Sequence, residues 1–197
     1  RRRKIMAKRV AKFEKVSYEQ FREDWLETFT WADMMAFGLL PVKLTDPDST
    51  SVENAIKKVY DNIKLPERKS KFSAGYDFIS PISYTIESGD YIKIPTGIRC
   101  RMNNDYVLQI YPRSSLGTKY MFIPMNLVGI IDSDYYDSDN EGHIFMKMKN
   151  CGDKPVVIES GDGFCQGIFV TYGITEDDKV EISRNGGFGS TDKKGNN

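Results

Sequence analysis

From Lys64 onward the chain is cut into short runs rich in Ile, Val, Tyr and Phe, each bounded by Gly, Pro, Asn or Asp: DYIKIPTGIRCRM, YVLQIYP, HIFMKMKN, PVVIES, CQGIFVTYGI and KVEIS. In HIFMKMKN the alternation is explicit, with Ile144, Met146 and Met148 facing one way and Lys147 and Lys149 the other. Strands at this spacing, with no strong helical segment among them, predict an all-β core: an antiparallel sandwich, jelly roll or barrel. With 40% hydrophobic and 28% charged residues, a 197-residue chain can fill one such core and still carry an appendage.

The appendage is expected at residues 1–63. Residues 17–30, SYEQFREDWLETFT, read as a helix, because Phe21, Trp25, Leu26 and Phe29 share a face. Ser17 and Gln20 suit a capping box. A second helix is predicted from Ser51 to about Ile63, with Ser51 as its N-cap and Val52, Ile56, Val59, Tyr60 and Ile63 on one face. The turn-rich connector LPVKLTDPDST separates them. Ahead of both, Arg1 to Lys15 holds eight basic residues against the single Glu14, an arm able to attract nucleic acid or another polyanion, or simply a frayed, solvated end. Over the whole chain Lys+Arg and Asp+Glu are equal at 28, which argues against binding nucleic acid by bulk charge.

No apolar run approaches the ~18 residues of a membrane span, and no secretory signal is evident at the N-terminus. Cys100, Cys151 and Cys165 read as buried thiols in a reducing compartment, and a cytoplasmic location without membrane association is expected.

Several chemistries are poorly supplied. With His143 as the one histidine, a two-histidine metal site or a Ser-His-Asp triad has little support, and His143 reads as an ordinary strand residue. A Walker P-loop is absent. DSDYYDSDNEG resembles an EF-hand loop at Asp137, Asp139 and Gly142, but Met148 stands where the bidentate glutamate belongs.

Four features remain, each with an ordinary alternative. Pro112-Arg113-Ser114-Ser115-Leu116-Gly117 offers a cation and two hydroxyls suited to an oxyanion, or is a polar turn. In Asn126-Leu-Val-Gly129-Ile-Ile131-Asp132-Ser-Asp134-Tyr135 an apolar strand delivers Asp132 at its end, as a general base requires, or the Asp simply closes a hairpin strand. In the tail, Arg184-Asn-Gly-Gly-Phe188-Gly189-Ser190-Thr191 combines phosphate donors with an aromatic face, or is a linker. Gly161-Asp-Gly-Phe-Cys-Gln166-Gly-Ile-Phe places one amide on a strand and is generic by itself.

Taken in order, with Ala74-Gly75-Tyr76-Asp77-Phe78 ahead of them, these segments resemble the five motifs of the trimeric dUTPase (deoxyuridine triphosphate nucleotidohydrolase) family, over roughly Leu65 to Thr191. The resemblance implies a β-clip or jelly-roll core at 64–183, with 1–63 as a partly helical extension and 184–197 as a Gly-rich arm closing on the site. It implies hydrolysis of dUTP to dUMP and pyrophosphate, Mg2+ as cofactor, and a homotrimer with shared sites.

Residue by residue, it makes Asp132 the general base. Asn126 and the backbone of the following hairpin, including Gly129 and Ile131, would read uracil, and Tyr135 would pack under the deoxyribose. Arg113, Ser114, Ser115 and Gln166 would bind phosphates, and Asp77 would hold hydrated Mg2+. Arg184, Gly189, Ser190 and Thr191 would close over the γ-phosphate while Phe188 stacks on the base.

The sequence departs from the family pattern in four places. Gly142 arrives late after Tyr135, implying a longer acidic hairpin at 136–141. Gly163 stands where an arginine is common, Asp192 follows Thr191 where glycine is usual, and residues 1–63 lie outside the family core. Two alternatives differ in class. A dCTP deaminase of the same fold would need a catalytic glutamate. A dUTP-binding regulator would dock a protein partner through the N-terminal helices or the acidic hairpin.

Overall fold

In antiparallel sheets a strand pair is held by its ladder and by the apolar face it turns inward, and both are visible from the first strand of this chain. A computed structural model describes residues 8–41 and 49–182. β1 (Ala11–Lys15) pairs antiparallel with β5 (Ile98–Met102), and Phe13 turns into the core. The expected frayed arm therefore does not extend to these residues: Phe13 and Val16 are buried, and an apolar side chain every second or third residue is enough to anchor a strand.

Three helices follow. α1 (Tyr18–Thr28) buries Phe21, Asp24 and Trp25, and the Ser17 hydroxyl accepts from the Gln20 amide as a cap. The predicted capping box is only half formed, since the Ser17 backbone N–H donates to Glu141 and not to Gln20. α2 (Trp31–Ala36), which the sequence reading did not separate, starts with a full capping box between Thr30 and Asp33. α3 (Ser49–Asn62) begins two residues before the predicted cap and buries Ala55, Ile56 and Val59. Most of the predicted connector lies outside the described residues. Tyr60 meets Tyr18 and Phe21 edge-on or tilted and donates to the Val16 carbonyl, so α1, α3 and the end of β1 pack together.

The rest is β structure, as expected: β2 (Tyr76–Ile79), β3 (Tyr84–Ile86), β4 (Tyr91–Pro95), β6 (Tyr106–Pro112), β7 (Phe122–Pro124), β8 (Gly129–Ile131), β9 (Phe145–Asn150), β10 (Val156–Ile158) and β11 (Gly163–Thr171). The sheets run β2-β11-β6-β8, β4-β9-β7, β1-β5 and β3-β10. A short helix α4 (Ser114–Tyr120) follows β6, and a 3-10 turn (Ser133–Asp137) follows β8. The alternation read in HIFMKMKN holds: Met146 and Met148 are buried, Lys147 is exposed, and β9 starts at Phe145. The described part of KVEIS, Lys179 to Ile182, forms no strand and is exposed, with Ile182 at 89%. Of the three cysteines, Cys100 and Cys165 are buried but Cys151 is exposed. Burial pushes the Cys100 thiol up to about 12. No described helix is long and apolar enough to cross a membrane.

One apolar cluster joins both parts of the chain. Phe21, Trp25, Ile56 and Val59 from the helices belong to the same core as Phe78, Ile94, Leu108, Ile110 and Phe164 from the sheets. Each large side chain fully buried there contributes roughly 2–3 kcal/mol, so the helices are fixed to the sheets by packing. Gly97 marks the tightest point of that junction. Its φ is +71°, and a Cβ there would stand 2.3 Å from Ile63 Cδ1. Gly97→Ala should therefore lower stability by about 1–3 kcal/mol, seen as a lower urea midpoint with an unchanged m-value.

His143 lies just ahead of β9 and is wholly buried. Its Nε2 accepts from the Gly97 N–H at 2.7 Å, so the ring proton sits on Nδ1, 2.5 Å from Asp24 Oδ2. Burial lowers the His143 pKa below its usual 6.5, against the pull of Asp24. A second proton would also have to displace the Gly97 N–H. Because the unfolded chain then binds the proton more readily, this contribution to stability is complete above about pH 6.5 and is lost as pH falls below it. Thermal unfolding from pH 7.5 to 5 should show that decline, and His143→Gln should flatten it.

Candidate active site

β11 lies between β2 and β6, and its register sets Gln166 opposite Asp77 on one side and Tyr111 on the other. Three segments far apart in sequence thus meet in one row. Arg113 leaves the end of β6 in an extended conformation, as the residue before α4. Its Nη1 donates to the Gly163 carbonyl at 2.8 Å, and its Nη2 lies 3.2 Å from Asp77 Oδ2. Gln166 Nε2 donates to the Pro112 carbonyl at 3.1 Å. Ser114 and Ser115 are exposed beside them. This group collects a fork of guanidinium donors, a largely buried carboxylate, an amide and two free-standing hydroxyls, a donor set suited to a polyphosphate and its counter-ion.

Gly163 explains one departure from the family pattern. A Cβ at that position would lie 3.0–3.2 Å from the Arg113 side chain, so the glycine lets the guanidinium lie flat across the start of β11. Where an arginine was expected to bring a contact, a glycine makes room for one.

A second group lies at the other end of β6. β8 pairs with β6 through Leu108–Ile131 and Ile110–Gly129 and is the last strand of its sheet, so its outer backbone edge has no strand partner among the described residues. Gly129 and Ile131 are buried, which leaves backbone groups and not side chains for a ligand. Asp132 follows at once, half-buried and extended, with its carbonyl accepting from the Tyr135 N–H at 3.2 Å. Tyr135 is 3% exposed and donates through Oη to the His143 carbonyl at 2.7 Å.

Asn126 is exposed in a tight turn where Leu127 has a φ of 64°. The hairpin expected to follow it, with its acidic tip at 136–141, does not form: β8 pairs with β6, β9 pairs with β4 and β7, and a 3-10 turn stands between β8 and β9. The two strands flank the turn but belong to different sheets. Arg184, Phe188, Gly189, Ser190 and Thr191 lie outside the described residues.

The two groups are well separated within one chain. From the position facing Asp132 to Arg113 is about six residues along β6, roughly 20 Å at strand rise. Sequence reasoning also missed what stands behind the second group. Asp24 touches His143 and Ser17 clasps Glu141, pairs separated by 119 and 124 positions, for which no local pattern gives a signal.

Fold and site together define an all-β protein with a cluster of donors suited to an anion at one end of a strand and a half-buried carboxylate at the other. The dUTPase family model matches residues 61–192. The deoxyuridine 5'-triphosphate nucleotidohydrolase of Lactococcus lactis subsp. lactis is 42% identical over 132 residues, 66% of this chain and 88% of that protein. Its counterpart from Desulfitobacterium hafniense is 37% identical over 136 residues, 65% of this chain and 87% of that protein. Among solved structures, the dUTPase of Streptococcus mutans is 37% identical with a TM-score of 0.51, covering 59% of this chain and 91% of that one. The chain belongs to the dUTPase family.

The packing at Gly163 yields a direct test. Gly163→Val should push the Arg113 guanidinium away from Asp77 and raise KM for the nucleotide by about tenfold, one lost charge-assisted contact, with the far-UV spectrum unchanged.

Proposed function

We infer that this dUTP diphosphatase splits dUTP into dUMP and pyrophosphate at sites shared between copies of the chain, with Asp132 as general base. The supporting observation is the separation along β6: the carboxylate and the phosphate-type donors belong to one reaction but stand roughly 20 Å apart in one protomer. A homotrimer in which the Asp132 end of one chain faces the Arg113 end of the next closes that gap.

In this reading Asn126 and the outer edge of β8, at Gly129 and Ile131, hold the uracil edge, and Tyr135 forms a wall under the deoxyribose. Arg113, Ser114, Ser115 and Gln166 orient the phosphate chain in line for displacement. Asp132 takes a proton from water as its oxygen attacks the α-phosphorus. The bond from that phosphorus to the bridging oxygen of the β-phosphate then breaks, and pyrophosphate departs. Residues 184–197, through Arg184, Phe188, Gly189, Ser190 and Thr191, close over the nucleotide and keep out bulk water.

Asp77 is the carboxylate on the phosphate side, and among the described residues no group of three His, Cys, Asp or Glu is placed to hold a metal ion. One carboxylate fits a hydrated Mg2+ ion, which Asp77 would help to hold beside the phosphate-binding residues. When bound, the ion supplies positive charge against the triphosphate. The outer face of the helices, where Leu26 and Trp31 are exposed, is the surface open to a protein partner. The location assigned by this reading is cytoplasmic.

Two measurements test it. Asp132→Asn should lower pyrophosphate release by at least about a hundredfold while dUTP still binds. Co-expressing Asp132→Asn with Arg113→Ala chains should restore activity, toward about one quarter of the wild-type value for random assembly of shared sites. No recovery from the mixture would place each site within one chain.

A further inference from the structure

Tyr135 is almost wholly buried, so its ring can act only as a fixed wall, and a wall stands where its backing holds it. Its direct partners lie within the family core, and the outermost part of the backing comes from outside it. Tyr135 Oη donates to the His143 carbonyl at 2.7 Å and accepts from Asn140 Nδ2 at 2.9 Å. The His143 ring is in turn held between the Gly97 N–H and Asp24 of α1, and Gln20 Nε2 donates to the same Asp24 oxygen at 3.1 Å. The loop between Tyr135 and His143 is clasped from the same side. Glu141 accepts from the Ser17 N–H and hydroxyl at 2.8 and 2.6 Å, and Tyr136 Oη donates to Glu14 at 2.6 Å. Burial works against the Glu141 carboxylate, but the two Ser17 hydrogen bonds, aided by Arg99, hold its pKa below the usual value.

We propose that Asp24 is a positioning residue which, through His143, fixes Tyr135 and so sets the discrimination between deoxyribose and ribose nucleotides. The proposal rests on the reading of Tyr135 as the sugar wall. It assigns a role to the N-terminal helices: α1 carries the buttress of a specificity element located more than a hundred residues away. A shift of the ring by a fraction of its width would open space for a 2′-hydroxyl without touching Asp132 or the phosphate-binding cluster.

The test is the ratio of kcat/KM for dUTP to that for UTP in the full-length assembled enzyme. Loss of folded enzyme lowers both values equally and leaves the ratio untouched, so the ratio separates positioning from mere stability. Asp24→Ala should lower it by roughly tenfold, the scale of a weakened steric sieve. Asp24→Asn, whose amide oxygen still accepts from the imidazole N–H, should keep it. Tyr135→Phe retains the ring and removes only the hydroxyl that anchors it to the His143 carbonyl and Asn140; it should reproduce the Asp24→Ala loss, and it decides the matter if Asp24→Ala does not fold.

An unchanged ratio in Asp24→Ala, or in Tyr135→Phe where that variant stands in for it, overturns the proposal. Tyr135→Ala separates the two levels. If it collapses the ratio while Asp24→Ala does not, the sugar wall stands and the buttress falls. If it leaves the ratio unchanged, Tyr135 does not face the sugar and both readings fall.

Discussion

The pairing of β6 with β11 on one side and β8 on the other is the constraint on which the rest depends. Leu108 and Ile110 lie along it with no exposed surface, so the strand is fixed by core packing as well as by its ladders. One ladder aligns Gln166 with Tyr111 and, through β2, with Asp77; the other delivers Asp132. Both chemical groups are therefore mounted on the ends of one rigid rod. A rod cannot bend its ends together, and the proposed sharing of the site between copies of the chain would close the gap without a loop movement within one.

The helices are attached by two kinds of interaction with different consequences. Apolar burial of Phe21, Trp25, Ile56 and Val59 supplies most of the energy, but such contacts tolerate sliding. The contacts of Asp24 with His143 and of Ser17 with Glu141 are directional, the first buried and the second partly so. A half-made version would leave a buried polar atom unsatisfied at a penalty of about 1–3 kcal/mol, so they select one orientation out of those that packing alone would allow. The same directionality makes them suited to hold Tyr135 in place.

Much of this was legible in the sequence because it depends on neighbours along the chain. Two-residue alternation marked β9, a 3.6-residue stripe marked α1 and α3, and Ser17 announced the start of α1. The motif residues Asp77, Arg113, Asp132 and Gln166 could be singled out because each sits in a short segment whose chemistry is local. Where local pattern misled, a competing partner was responsible. Ala11–Lys15 looked frayed until β5 supplied a ladder, Ser17 lost half its capping box to Glu141, and the segment after Asn126 looked like a hairpin until β6 took β8, and β4 and β7 took β9, into separate sheets.

By itself, then, the sequence determined the all-β class, the two long helices and the family, and it singled out the candidate residues for the chemistry, since periodicity and motif chemistry are properties of contiguous segments. Only the tertiary structure decided that Gly163 gives way to Arg113, that Asp24 meets His143 in the core, and that Asp132 and Arg113 stand at opposite ends of β6. Those facts are relations between distant positions, fixed by strand register and side-chain volume, and no stretch of sequence read alone encodes a distance between two others.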